Sequence, residues 1–199
     1  MKKFLSISLF TLLATALFAG GYKIGDKVAD FSLKNIDGKM ISMKDMQEAK
    51  GVIVIFTCNH CPFSKAYEDR IIALNTQYAQ KGFPVIAINS NDEKRKPADS
   101  YENMIIRAKE KSFNFPYVYD STQKIATAFG ATRTPHVFIV VKEGNDFVVR
   151  YIGAIDNNSD EPEKVTIKYI EDALTALSNA KPVAVPETKA IGCTIKWRQ

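Results

Sequence analysis

The chain is poor in the residues that usually announce a function. Across 199 residues there are 3 cysteines, 2 histidines and 1 tryptophan. It has no internal repeat and no low-complexity block, which leaves an ordinary globular domain as the frame. Its formal charge is +5, from 27 basic and 22 acidic residues, and losing Lys2 and Lys3 would lower it to about +3. That excess is too small to make a nucleic-acid surface. The mixed-charge run Asn91 to Lys96 precedes Pro97 and reads as a solvated loop. The longest apolar stretch, Phe4 to Phe18, is broken only by serine and threonine and falls short of the roughly 20 residues that a membrane span needs. It follows Met1-Lys2-Lys3 and precedes Ala19-Gly20-Gly21, which is the arrangement of a cleavable secretory signal. Residues 1–20 are therefore expected to be a signal peptide, with an uncleaved anchor as the alternative. No stable membrane insertion is expected after cleavage, and the location implied is the bacterial periplasm or the exterior.

Export changes what scarce cysteines can mean. Disulfides persist outside the cytosol, and 3 cysteines leave one over after any pairing. An odd thiol there points to exchange or to a free reactive sulfur.

Beyond the signal lie roughly 180 residues, enough for one domain with a sizeable core. Val52–Phe56, Val85–Ile88 and Val137–Val141 are short apolar runs rich in β-branched residues, as strands buried on both faces are. Between the first two, Tyr67, Ile71, Leu74 and Tyr78 recur at helical spacing, so Pro62 to Lys81 is expected to be a helix stopped by Gly82. Further helices are expected around Ser100 to Lys111, with Tyr101, Ile105 and Ala108 on one face, and from Thr122 to Phe129. Pro162 is expected to open a last one, in which Ile170, Ala173, Leu174 and Leu177 share a face. "VFIVV", "KEGND" and "FVVRYIG" read as two antiparallel strands joined by a turn. The Asn-Ile-Asp-Gly of residues 35–38 reads as the bend of a small N-terminal hairpin. The fold class is thus α/β, a central mixed sheet flanked by helices, over residues 21–179. Residues 180–199 change character, with two prolines, no helical period and Cys193. Val183, Val185, Ile191, Ile195 and Trp197 are too apolar for a freely solvated segment, so this tail is expected to lie along the body.

"FTCNHCPFSKAY", Phe56 to Tyr67, carries the chemistry. A thiol becomes a nucleophile when its thiolate is stabilised, and the unpaired amides of a helix N-terminus do that. Pro62 marks the first helical position, so Cys61 is the cap residue and its sulfur can accept from the first turn. Ser64, one turn on, carries a hydroxyl that could point at the same sulfur. Cys58, at the mouth of the strand and out of reach of those amides, reads as the partner thiol. His60 adjoins Cys61 and could lower its pKa as a cation, or could face solvent. His136 lies beyond Pro135. The two thiols of the Cys-Asn-His-Cys pair could also hold a soft metal together with the histidines and Cys193. Haem attachment is disfavoured, because Pro62 stands where the histidine of a Cys-x-x-Cys-His motif would be.

The chain resembles the thioredoxin-fold superfamily on its peroxiredoxin-like, AhpC/TSA-type side. "GDKVADFSLKNIDGKMISMKD" is similar to the opening of peroxiredoxins and exported thioredoxin-like proteins, "FPYVYDSTQKIATAFGA" to their middle, and "TRTPHVFIV" to the segment with the family's cis-proline. The likeness runs from about Tyr22 to Leu177. It implies a cis Thr134–Pro135 bond facing the cysteines, with the backbone of Thr134 pairing with substrate. The family's nucleophile position falls on Cys61, its usual second cysteine on Ser64, and its buried acid on Ile55. The positions that hold peroxide in peroxiredoxins fall on Cys58 and Val54. Arg133 could supply the arginine such sites use, from an unusual position, or could be an exposed salt-linked side chain.

The expectation is an exported thiol–disulfide oxidoreductase working through Cys58 and Cys61, with Cys61 as nucleophile and no cofactor or resident metal. Thr134 and Pro135 would bind substrate, and His60, Ser64 and Arg133 would tune the thiols. Protein or small-molecule thiols and disulfides, with a redox partner protein, are the expected partners. The alternatives are a peroxiredoxin-type thiol peroxidase and a copper-binding metallochaperone of the same fold. Cys193 has two readings: a second resolving thiol that exchanges with Cys61 or Cys58, or an anchor for the tail in an apolar groove.

Overall fold

The computed structural model describes residues 20–199, so the expected signal peptide lies outside the described residues apart from Gly20. In chain order the strands are β1 (Lys27–Val28), β2 (Ser32–Asn35), β3 (Met40–Ser42), β4 (Gly51–Phe56), β5 (Val85–Asn89), β6 (Tyr117–Tyr119), β7 (Arg133–Thr134), β8 (His136–Glu143), β9 (Asp146–Gly153) and β10 (Cys193–Thr194). The helices are α1 (Pro62–Tyr78), α2 (Tyr101–Lys111), α3 (Lys124–Phe129) and α4 (Tyr169–Ser178).

Among the described residues, eight strands form one mixed sheet in the order β1-β9-β8-β4-β5-β6-β2-β3. The β4–α1–β5 unit is parallel, and β8 runs antiparallel to both β4 and β9. Alternation along β4 shows why the sheet is central: Ile53 and Ile55 join the core that packs α1, α2 and α4, whereas Val52, Val54 and Phe56 join the opposite core with Phe129 of α3. Every residue of β4 is buried, so its apolar run needs no polar face. The N-terminal hairpin forms as read, β2 against β3, with Gly38 supplying a positive φ of 84° at the bend.

Three local readings need correction. Pro162 opens only the 3-10 turn Pro162–Lys164, and α4 starts at Tyr169. Between them Val165, Thr166 and Ile167 are β-branched in succession and favour extended backbone, and Asn157 Oδ1 accepts from the amides of Thr166 and Ile167. In α2 the buried positions are Met104 and Ala108, while Ile105 is 40% exposed, because the helix rests on the sheet along the row that runs from Tyr101 through 104 and 108. The loop after β5 is only partly solvated: Asn91 and Asp92 are buried and Glu93 to Lys96 are exposed.

The tail lies against the body as expected. Ile195 is 3% exposed in the Phe129 core, although Val185, Ile191 and Trp197 stay exposed. β10 pairs antiparallel with β7, Cys193 opposite Thr134 and Thr194 opposite Arg133. Upstream, Thr188 Oγ1 accepts from Ala154 N at 2.9 Å, and Thr188 N donates to Ile152 O at 2.9 Å. Downstream, Asp92 N donates to Lys196 O at 2.9 Å and Lys196 N to Asn91 Oδ1 at 2.8 Å.

Candidate active site

Strand β4 ends at Phe56, the chain turns through Thr57 to Cys61, and α1 starts at Pro62. Cys61 is the cap residue, with extended backbone at φ −67° and ψ 125° and proline directly after it. No full side-chain capping hydrogen bond forms, although the Ser64 amide of the first turn acts on the sulfur. Its Sγ lies 3.1 Å from Thr134 O instead, on the far side of the cis Thr134–Pro135 bond. Both thiols of the turn are shut in, Cys58 being 2% exposed and Cys61 0%.

Thr134 spans the pair, its carbonyl on Cys61 and its hydroxyl 3.3 Å from Cys58 Sγ. The two sulfurs share a proton unequally. Cys61 is held well below the ordinary thiol pKa, chiefly because it accepts from the Cys58 thiol; burial opposes this, and the Cys193 thiol and the Ser64 and Cys193 amides add to it. Donation to Thr134 O favours the protonated form, but one carbonyl is outweighed by two thiol donors. Cys58 moves the other way, raised first by the Cys61 sulfur it donates to, then by burial and by the charge of Asp99. Of the two thiols, Cys61 is thus the more acidic and Cys58 the less acidic.

Sequence reasoning missed Asp99, which organises this turn. It is fully buried in the 3-10 turn Pro97–Asp99, just before α2. Oδ1 accepts from Asn59 N at 2.8 Å and from His60 N at 3.0 Å, while Oδ2 accepts from Asn91 Nδ2 at 2.8 Å. The His60 Nδ1 to Asp99 Oδ2 distance is 2.5 Å, and the same nitrogen lies 3.5 Å from Cys58 Sγ. His60 thus faces Cys58 and Asp99 rather than Cys61. Ser64 behaves similarly: its hydroxyl is 4.0 Å from Cys58 Sγ, and only its amide acts on Cys61. Ile55 carries no carboxylate, and the buried carboxylate that meets the turn comes from a different element. An acid one residue before a helix cap at Ser100 reads locally as a helix-start residue, so nothing in the sequence signals its reach to residues 58–60.

Cys58, His60 and Asp99 bring one ligand atom each to within 4.8 Å of one another. A tetrahedral ion bound at about 2.0–2.3 Å would hold its ligand atoms more than 3 Å apart. The 2.5 Å His60–Asp99 contact is shorter than that, so in this structure these two atoms are spaced as hydrogen-bond partners. His136 is outside this group: it is buried beside Phe138 and accepts from Thr132 N at 3.3 Å, and burial lowers its pKa to about 4, so it is neutral near pH 7.

Arg133 donates to Gly192 O at 3.0 Å, which ties it to the tail rather than to a carboxylate or an open anion site. The backbone of Thr134, expected to pair with substrate, already pairs with Cys193. Burial and the neighbouring Cys61 sulfur raise the Cys193 thiol. Cys193, more than 130 positions beyond Cys61, thus meets the Cys58–Cys61 pair around Thr134.

Comparison with known proteins gives the family and the fold. The model of the AhpC/TSA family matches residues 24–152, more than half of the chain. The thiol-disulfide oxidoreductase ResA of Halalkalibacterium halodurans is 23% identical over 139 residues, 70% of this chain and 74% of that protein. An uncharacterized conserved protein from Geobacillus kaustophilus is 35% identical, with a TM-score of 0.81 over 88% of this chain and 93% of that one. A putative thiol:disulfide interchange protein DsbE from Chlorobium tepidum shares the fold at 19% identity, with a TM-score of 0.58 over 78% of this chain and 98% of its own. No helix among the described residues is long and apolar enough to cross a membrane.

Proposed function

The chain belongs to the AhpC/TSA family, and from that premise we propose that it is an exported thiol–disulfide oxidoreductase working through Cys58 and Cys61. One observation carries the reading: the two sulfurs lie together against the cis-proline loop, with Cys61 favoured as thiolate and Cys58 as thiol. Similarity to ResA supports the class of reaction. Export rests on the basic start and apolar run of residues 1–18.

In the forward step the Cys61 thiolate attacks one sulfur of a disulfide R–S–S–R′, forming Cys61–S–S–R and expelling R′S⁻. Cys58 then gives its proton to the His60–Asp99 dyad and attacks Cys61 Sγ, expelling RS⁻ and closing the Cys58–Cys61 disulfide. Two electrons leave the protein and enter the substrate, which departs as two thiols. Thr134 contacts both sulfurs and so keeps them close for the second attack.

A redox titration followed by intact mass tests the reading. The expected result is a reversible loss of two hydrogens, mapping to a Cys58–Cys61 bond; a protein that forms no reversible disulfide is not an oxidoreductase of this kind. Hydrogen peroxide separates this reading from a thiol peroxidase. Cys58 and Val54 occupy the positions that would hold peroxide, and Arg133 is engaged by Gly192 O, so oxidation should be no faster than for an ordinary low-pKa thiol. Stopped-flow rates typical of dedicated peroxidases would reverse the order of the two readings.

A further inference from the structure

The nucleophile is buried, the strand that would receive a substrate peptide is occupied by the chain's own tail, and that tail carries a thiol. Cys61 is 0% exposed and Cys58 2%, whereas Cys193 reaches solvent. Backbone close approaches show that the tail's seat is built for it. A Cβ on Gly192 would come within 2.1 Å of Thr134 O, and one on Gly153 within 2.0 Å of Thr188 Oγ1. The fastenings lie on both sides of Cys193: Thr188 on β9, Arg133 Nη1 to Gly192 O at 3.0 Å, Ile195 in the core, and Gln123, whose Nε2 donates to Lys196 O at 2.9 Å and whose Oε1 accepts from Arg198 N at 2.7 Å. A partner peptide cannot pair with Thr134 without displacing all of these.

From this geometry we infer that Cys193 is the protein's solvent-side relay thiol: external thiols and disulfides exchange with Cys193, and Cys193 exchanges with the buried pair through Cys61. The inference rests on the exchange reading proposed above. When the protein is reduced, an incoming thiolate RS⁻ from a dithiol partner attacks Cys193 Sγ of a Cys61–S–S–Cys193 bond, forms Cys193–S–S–R and expels the Cys61 thiolate. The partner's second thiolate then attacks the R sulfur and expels Cys193 as thiolate, and the partner leaves as a disulfide. Two electrons have entered the protein. The Cys61–S–S–Cys193 bond arises from the Cys58–Cys61 disulfide when Cys193 thiolate attacks Cys61 Sγ and expels Cys58, which takes a proton from the His60–Asp99 dyad. All steps reverse to reduce an external disulfide.

Two features set the direction of attack. Cys193, half-buried where Cys58 and Cys61 are fully buried, is the thiol a partner reaches first, and Cys61, the more acidic thiol, is the better leaving group. Lys96 and Lys196 lie close enough to favour the Cys193 anion. The partner class that fits is therefore an anionic thiol, such as a cysteine in an acidic peptide, and glutathione is a suitable probe.

The test uses the full chain, oxidised with oxidised dithiothreitol, mixed with glutathione, quenched in acid and mapped by peptide mass. Glutathione should appear first on Cys193, and Cys193→Ser should slow exchange with glutathione at least ~10-fold. The variant should still form the Cys58–Cys61 disulfide, which also shows that the site is folded. Adducts appearing first on Cys61 or Cys58, or a Cys193→Ser protein that exchanges at the wild-type rate, overturn the relay and leave the pair chemistry standing. If the wild-type chain forms no disulfide at all with oxidised dithiothreitol, the exchange reading itself fails and the relay falls with it.

Discussion

The turn from Phe56 to Pro62 and the tail strand β10, Cys193–Thr194, bring sulfur to the same spot by opposite means. The turn is a local device: a buried strand ends, proline starts a helix, and Cys61 is left at the junction. The tail strand has no such device, since a two-residue strand cannot stand by itself, and it is held by β7, β9, Gln123 and the Phe129 core. The difference separates two properties that a single cysteine motif seems to combine. The acidity of Cys61 comes first from Cys58, three residues away, with Cys193 adding to it, whereas access to Cys61 is set by the tail, more than a hundred positions later in the chain.

The sharpest way to break this comparison is to remove Cys61, the proposed nucleophile. Cys61→Ser should lower turnover in disulfide exchange by about a thousandfold or more, since both half-reactions pass through that sulfur. Cys58→Ser should instead leave Cys61 trapped in a mixed disulfide, with a substrate or with Cys193, visible by mass. Trapping on Cys58 in the Cys61→Ser protein would reverse the assigned roles.

Asp99→Asn acts on the turn without touching sulfur. It removes the charge that orients His60 and receives the Cys58 proton, so resolution should slow by about a hundredfold while the first attack at Cys61 changes little. Single-turnover kinetics across a pH series read the two steps apart. A uniform loss of both, with an unchanged pH profile, would reduce Asp99 to a structural support.

On the tail side, Ile195→Ala should weaken docking by about 2–3 kcal/mol, because the side chain is 3% exposed in a packed core. Hydrogen exchange should speed up at the amides of Lys196 and Arg198 and stay slow in β4. Unchanged protection at those amides would mean that the hydrogen bonds to Asn91 and Gln123 hold the tail unaided.

The smallest effect concerns His136, beneath the residues that receive the tail. Burial lowers its pKa to about 4 from 6.5, so the unfolded chain takes up a proton that the folded chain refuses. Its contribution to stability is complete above pH 6.5 and is lost as pH falls from there towards 4. Near pH 5 the loss should be about 2 kcal/mol, and His136→Gln should flatten that part of the profile in denaturant titrations. A variant with the same acid sensitivity as the wild type would place the effect on other groups.

Much of the fold was legible because its signals are short-range. The β-branched runs of β4, β5 and β8, the helical period of Tyr67, Ile71 and Leu74, and the Asn-Ile-Asp-Gly bend each depend on neighbours within a few positions. The order of Pro62 after Cys61 was enough to separate cap residue from partner thiol. Tertiary structure alone decided what surrounds those sulfurs. Asp99 reaches the cysteine turn from the start of α2, Thr134 lays a hydroxyl on one thiol and a carbonyl on the other, and Cys193 arrives on a strand that exists only because β7 offers an unpaired edge. None of these contacts has a sequence period, since each joins residues whose separation is set by how loops close rather than by the repeat of a helix or strand. The proposed proton acceptor and the third thiol are therefore properties of the folded chain, while the junction between strand and helix that carries Cys61 is already present in the sequence itself.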